Sequence, residues 1–162
     1  MVTLTNDEIK CISIFESLTG ATAKDCLLEE GRVVFVVRPG DMGKAIGKGG
    51  AAIMRVRQAF RKSVEVFENA ETLKGFVRNL FPGVRITKLD VKEGPGPGRS
   101  GERQVHSAEG RIGTTGSGMS RKIVQIKVDD RDRGAVIGRG GERIKLARRL
   151  LERHHGAELK LL

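Results

Sequence analysis

The sequence predicts an α+β chain made of two tandem modules, residues 1–68 and 69–162. Each runs helix-strand-strand-helix-helix-strand and folds as a three-stranded sheet covered by helices. Three observations predict it. Apolar residues switch between the helical and the strand period along the chain. A glycine-rich phrase occurs twice, Ala45-Ile46-Gly47-Lys48-Gly49-Gly50 and Val136-Ile137-Gly138-Arg139-Gly140-Gly141, at an offset of 91 (138 − 47). The elements around the first copy return in the same order around the second, so the chain holds two equivalent units.

The elements follow in order. Thr5-Asn6-Asp7-Glu8 has the form of a capping box, and Ile9, Ile12, Phe15 and Leu18 then recur at helical spacing up to a stop at Gly20. Cys26-Leu27-Leu28, a Glu30-Gly31 turn and Val33 to Val37 predict a hairpin ended by Pro39-Gly40. A short helical turn through Lys44-Ala45-Ile46 leads into the first glycine loop. The helix after it carries Ile53, Val56 and Phe60 on one face, and Val64 to Phe67 is a strand. Asn69 is the expected cap of the next helix, which bears Leu73, Phe76, Val77 and Leu80 and stops near Pro82-Gly83. Strands are expected over Val84–Val91 and Ile123–Val128, and a short helical turn over Asp130–Ile137. The second loop, a helix over Glu142–Arg153 and a strand over Ala157–Leu161 complete the pattern.

Residues 93–120 interrupt it. They hold eight glycines, two prolines, three arginines and three glutamates. Too few are apolar to build a core, so a flexible insertion between two strands is expected. The alternative to a tolerated insertion is a contacting arm built on its Arg99, Arg103 and Arg111.

With 30 Lys and Arg against 20 Asp and Glu, the net charge is +10. The charge is uneven: −4 over residues 1–30, +8 over 31–120 and +6 over 121–162. A balance this basic calls for a polyanionic partner, with the acidic start turned away from it. No stretch is long or apolar enough to span a membrane. The first residues lack a basic segment followed by an apolar run, so a cytoplasmic location is expected. Cys11 and Cys26 make no metal site, and buried thiols are the expectation in a reducing compartment. His106 falls in the insertion and His154-His155 at a helix end. No nucleophile–base pair and no metal-ligand spacing appears, so neither an enzyme, a cofactor nor a metal is expected.

The two glycine loops carry the functional argument. Each sits just before a helix N-terminus, where the first backbone N–H groups lack partners and the helix dipole is positive. A phosphate oxygen satisfies both. Gly47, Gly49 and Gly50, like Gly138, Gly140 and Gly141, let a sugar–phosphate chain approach the peptide groups, and Lys48 or Arg139 adds a cation at the tip. A tight turn needing glycine only for its dihedrals is the alternative. Two copies, each with a basic residue inside and a basic helix after it, favour the backbone grip. A nucleotide-binding P-loop is excluded: Met42 and Arg133 stand where its leading glycine belongs, and no Ser or Thr follows either loop. Arg55, Arg57, Arg143, Lys145 and Arg148 are candidates for the backbone path. Ile46, Ile53, Ile137 and Ile144 are candidates for an apolar floor, although helical spacing favours core packing for Ile53 and Ile144. The lack of Trp and Tyr, with only six Phe, argues against a sheet that stacks bases on exposed aromatics.

Gly47-Lys48-Gly49-Gly50 and Gly138-Arg139-Gly140-Gly141, each between two helices, resemble the GXXG loops of KH domains, which clamp about four nucleotides of single-stranded nucleic acid. The element order resembles the type II form. The phrases Phe15-Glu16-Ser17-Leu18-Thr19-Gly20-Ala21, Asp25-Cys26, Phe35-Val36-Val37-Arg38-Pro39-Gly40-Asp41 and Arg131-Asp132-Arg133-Gly134 resemble the archaeal NusA-like transcription factors. That resemblance implies binding of nascent single-stranded RNA during transcription elongation or termination, with RNA polymerase as a second partner and a monomeric chain. A structural ribonucleoprotein component, ribosomal or RNA-processing, is the other reading of a KH protein.

Overall fold

The computed structural model describes residues 2–94 and 120–162. In chain order the elements are α1 (Asn6–Thr19), β1 (Ala23–Glu29), β2 (Arg32–Val37), α2 (Met42–Ile46), α3 (Ala51–Phe60), β3 (Ser63–Glu68), α4 (Leu73–Leu80), β4 (Ile86–Gly94), β5 (Arg121–Val128), α5 (Asp130–Ile137), α6 (Glu142–His155) and β6 (Ala157–Leu161). They form two three-stranded sheets, ordered β1-β2-β3 and β4-β5-β6. In each, the first pair is antiparallel and the second parallel. The fold is α+β, with the same topology twice.

Local chemistry explains most boundaries. The Thr5 hydroxyl accepts from the Glu8 N–H and the Glu8 carboxylate accepts from the Thr5 N–H, so the predicted capping box opens α1. Gly20 closes it in the left-handed region. β1, β5 and α6 extend beyond the expected spans, to Ala23–Glu29, Arg121–Val128 and Glu142–His155, and two further boundaries differ for a local reason. The cap of α4 is Thr72, whose hydroxyl accepts from the Gly75 N–H at 3.1 Å, and not Asn69, whose amide oxygen accepts instead from its neighbour Ala70. Both residue types can cap, and only Ala70 and Glu71 separate them. Strand β4 starts at Ile86 because the Val84 N–H is spent on a turn to the Phe81 carbonyl. It then runs on to Gly94, paired with Arg121, so the first and last residues of the expected insertion belong to a ladder or flank it. Residues 95–119, with Arg99, Arg103, His106 and Arg111, lie outside the described residues.

The cores show how the modules are joined. Strand β2 is buried along almost its whole length, and its alternate side chains serve two clusters. Val33, Phe35 and Val37 face α1 and α3, where Phe35 stacks on Phe15 with ring centroids 4.2 Å apart. Val34 and Val36 face the other way, into a cluster with Phe76, Val77 and Leu80 of α4 and Leu150 and Leu151 of α6. The first sheet is therefore covered on both faces, by its own helices and by the second half of the chain. A run of consecutive apolar residues, rather than an alternating one, is the sequence form of such a strand. Each large side chain buried there stabilises by roughly 1.5–3 kcal/mol, which small modules with thin cores need.

A buried charge cluster fastens the same junction. The Asp25 carboxylate on β1 has no solvent exposure. It takes Nε and Nη2 of Arg153 at 2.6 and 2.9 Å, with His154 Nε2 at 3.0 Å and the Cys26 N–H at 2.8 Å. Burial alone raises this carboxyl, but the hydrogen bonds from His154 and Arg153 outweigh it and hold the group below its ordinary range. Phe76 packs between the rings of His154 and His155. Arg149 reaches Glu29 across the same seam. Both cysteines are free thiols, Cys26 fully buried and pushed up to about 12 mainly by that burial, and Cys11 half-buried.

Candidate nucleic-acid interface

The two glycine loops have one geometry. Gly47 has φ 75° and ψ 173°, and Gly138 has φ 73° and ψ 176°. Gly49 (61°, 21°) matches Gly140 (63°, 17°), and Gly50 (79°, 13°) matches Gly141 (76°, 13°). The hydrogen bonds repeat too. The N–H of Gly47 donates to the Gly43 carbonyl and that of Gly138 to the Gly134 carbonyl, both at 2.9 Å. These backbone angles explain the residue type. A β-carbon on Gly47 would stand 2.7 Å from Cβ and 2.8 Å from the backbone N of Ala52; on Gly138 it would stand 2.7 Å from Cβ of Arg143. The first glycine of each loop thus permits the close approach of the following helix. Gly49 and Gly140 have open space where a side chain would go, in a left-handed conformation. They are the outward face of the turn, with Lys48 and Arg139 exposed beside them.

Each loop hands the chain to α3 or α6 with the first helical N–H groups free of a side-chain cap. The Ala51 and Glu142 N–H groups turn back to the Lys48 and Arg139 carbonyls, so an oxyanion at either loop meets the positive end of the helix dipole and the neighbouring ammonium or guanidinium. Asp41, just before α2, is occupied elsewhere. Its carboxylate accepts from the Thr22 N–H at 2.8 Å and pairs with Arg38, and the Thr22 bond is the main reason the group titrates below its ordinary range.

Beside the first loop an apolar trough of about 500 Å³ runs between α2, α3 and the edge strand β3. Met42, Ile46 and Ile53 form its helical wall, Val64 and Val66 its strand side, and Arg57 stands at the rim. Pro82 and Arg143 close it from the second half of the chain. A smaller cavity of about 210 Å³ continues from there to the second loop, lined by Gly138, Arg139 and Glu142. The two cavities share Glu65 and Arg143, so the flanks of both loops meet at one place.

The residues expected from the sequence are distributed as follows. Ile46 is 43% exposed, an isoleucine held open at the trough. Ile53 both lines the trough and packs on the core of α1 and α3. Ile144 is core, as its spacing favours, and Ile137, the counterpart of Ile46, is half-buried. Arg143 lies at the meeting point of the cavities. Arg55 is exposed on α3, where Arg57 two residues on reaches the rim. Lys145 is exposed near Glu29, Arg32 and Arg149, on the seam between the modules rather than in the trough. Arg148 bonds the Leu159 carbonyl. Met42, Glu65 and Pro82 also belong to the site, although a pattern read one module at a time carries no signal for them.

Topology, duplicated loop and flanking trough together define a tandem KH chain. A family profile for the KH domain matches residues 11–95. Named relatives extend over nearly all of the chain. "Probable transcription termination protein NusA" of Halococcus morrhuae is 37% identical over 152 residues, covering 94% of this chain and 91% of that one. The protein of the same name from Methanocaldococcus jannaschii is 31% identical over 153 residues, covering 94% and 70%. A solved structure described as "Crystal structure of APE1850" superposes with a TM-score of 0.72 at 37% identity, covering 98% of this chain and all of that one. The chain belongs to the archaeal NusA-like family.

Proposed function

We propose that the protein is a transcription factor that binds single-stranded RNA through both glycine loops and acts during elongation or termination. The observation that carries this reading is the loop pair: two glycine turns with backbone angles equal to within a few degrees, flanked by cavities that share Glu65 and Arg143. The net charge of +10 supports a polyanion, and the trough walled by aliphatic side chains supports an unpaired strand whose bases are accessible. The names of the relatives support a place in transcription termination. The chain acts by binding, without catalysis, as a cytoplasmic monomer whose second partner is RNA polymerase.

Two measurements test this. Titration of a labelled 12-nucleotide single strand against the hairpin duplex of the same composition should favour the single strand, with affinity falling steeply as salt rises. Equal affinity for both, or indifference to salt, overturns the RNA reading. Affinity capture of the protein from native lysate should recover RNA polymerase. Recovery of ribosomal subunits instead would replace the transcription role with a ribosomal one and leave RNA binding intact.

A further inference from the structure

The chain has two cysteines, and neither lies at the glycine loops or the trough. They stand on different elements, Cys11 on α1 and Cys26 on β1, yet the fold brings them to one place. On α1, Cys11, Phe15 and Leu18 follow at helical spacing on the face turned to the core. On the sheet, Cys26 lies opposite Phe35 in the register of β1 and β2. Phe35 stacks on Phe15. The ring stack therefore seats α1 on the Cys26–Phe35 rung, and Cys11 falls one turn of helix from the stack. The two thiols meet there in one apolar cluster, where Cys26 donates a hydrogen bond to the Cys11 sulfur.

The pair is asymmetric. Cys26 has no solvent exposure, and burial pushes its thiol up to about 12, so it keeps its proton. Cys11 is half-buried and reachable from solvent. Burial raises it too, joined by Asp7 and Glu8, while the Cys26 hydrogen bond and Lys62 act the other way. Of the two, Cys11 is the sulfur that ionises and meets an oxidant first.

We propose that Cys11 and Cys26 form a reversible oxidation site, closed to a disulfide by a peroxide and reopened by a dithiol, that staples α1 to β1. The Cys11 thiolate attacks one peroxide oxygen; the O–O bond breaks, hydroxide leaves with the proton Cys11 gave up, and a sulfenic acid forms on Cys11. The Cys26 sulfur then attacks the Cys11 sulfur. An S–S bond forms, the S–O bond breaks, and the departing hydroxide takes the Cys26 proton as water. Each sulfur gives up one electron, and the peroxide is reduced to two waters. The position of the staple gives it a consequence at the junction. Arg153 of α6 donates to the Thr3 carbonyl, just ahead of α1, at 2.9 Å, and to Asp25, the neighbour of Cys26, at 2.6 Å. A bridge between positions 15 residues apart (26 − 11) ties the same two segments covalently and holds both acceptors of that arginine. Two cysteines that serve only as small apolar core side chains would show no such response to an oxidant.

The test uses the full chain, reduced and then treated with hydrogen peroxide. Wild type should lose both thiols in a titration under denaturing conditions and the mass of two hydrogen atoms. Trypsin should then release Cys11–Lys24 and Asp25–Arg32 as one species that dithiothreitol separates. Tm should rise by about 6–12 °C on oxidation, from the loss of loop-closure entropy in the unfolded chain, and fall back on reduction. Cys26→Ala should gain nothing in Tm and should leave a Cys11 sulfenic acid that dimedone traps. Cys11→Ala should keep its one thiol, because Cys26 is buried. A folded wild type that keeps both thiols after peroxide, or that links Cys11 between two chains, overturns the site. A bridge that forms with Tm unchanged or lowered overturns the staple. None of these outcomes bears on RNA binding.

Discussion

Replacing Lys48 and Gly49 together by aspartate should separate RNA binding from folding. Gly49 has no atom within 4 Å of where a side chain would begin, and aspartate tolerates its left-handed backbone better than most residues. The folding cost should stay near 1 kcal/mol. The electrostatic cost is larger. The loop charge changes by three units, +1 to −1 at residue 48 and 0 to −1 at residue 49. At about 5 Å in water each unit interacts with a phosphate by roughly 0.8 kcal/mol, so the change is worth about 2.5 kcal/mol, or a loss of affinity of about 60-fold. Loss of the Lys48 contact alone should also lower the slope of log K against log salt by about 0.7. Fluorescence anisotropy with a 12-nucleotide single strand, from 50 to 200 mM salt, reads both quantities, and a thermal melt reads the fold. An affinity within threefold of wild type, beside a normal melt, would refute the assignment of this loop to the RNA backbone.

The other predictions follow from the same geometry. Arg139→Asp with Gly140→Asp should weaken the same strand by a comparable factor, because its backbone angles match those of the first loop; an effect in one copy only would reduce the other to scaffolding. Gly47→Ala should instead act on stability. Its β-carbon meets Ala52 at 2.7 Å, in a backbone region open essentially to glycine alone, so a loss of about 2–3 kcal/mol and of about 4–12 °C in Tm is expected. Gly49→Ala, with open space, should lose less than half of that, and equal losses in the two variants would contradict the packing argument. Asp25→Asn strands Arg153 and His154 at a buried seam and should cost about 3 kcal/mol in chemical denaturation at pH 7. Because the Asp25 carboxyl titrates below its ordinary 3.8, its contribution is complete above that value and is lost as pH falls below it. Wild-type stability should therefore drop from about pH 4 downward more steeply than that of Asp25→Asn; parallel acid profiles would show that the cluster does not hold the carboxylate charged.

What the sequence made legible was local or repeated. The Thr5–Glu8 box, the Gly20 stop and the two glycine loops are each settled by residues within four positions of one another, and the offset of 91 doubled the signal of the loops. The choice between Asn69 and Thr72 as a cap was not legible, because both side chains can accept the bond and only the surrounding chain selects one. Nor was the burial of Asp25. Its partners are 128 and 129 residues away, and the Asp25-Cys26 phrase carries no sign of them. Ile46 and Ile53 could be named as a floor, but the wall made by Pro82 and Arg143 could not, since it comes from docking one module on the other. Arg148 reads as part of a basic helix face, and only the folded chain shows its Nε committed to Leu159.

These long-range features bear on how the loops work together. A strand that occupies both loops gains more from the second when the distance between them is fixed beforehand, since a loose junction makes the second contact pay an ordering cost. The junction here is built to be stiff. Strand β2 sends Val34 and Val36 into the same cluster as Leu150 and Leu151 of α6, and the last turn of that helix carries Arg153 and His154 to Asp25. The helix that begins at the second loop therefore ends in the first module's sheet. Loosening the Asp25 cluster should weaken a strand long enough to reach both loops while sparing one that reaches a single loop. The stability of the seam and the affinity for long RNA are in that sense one property of α6.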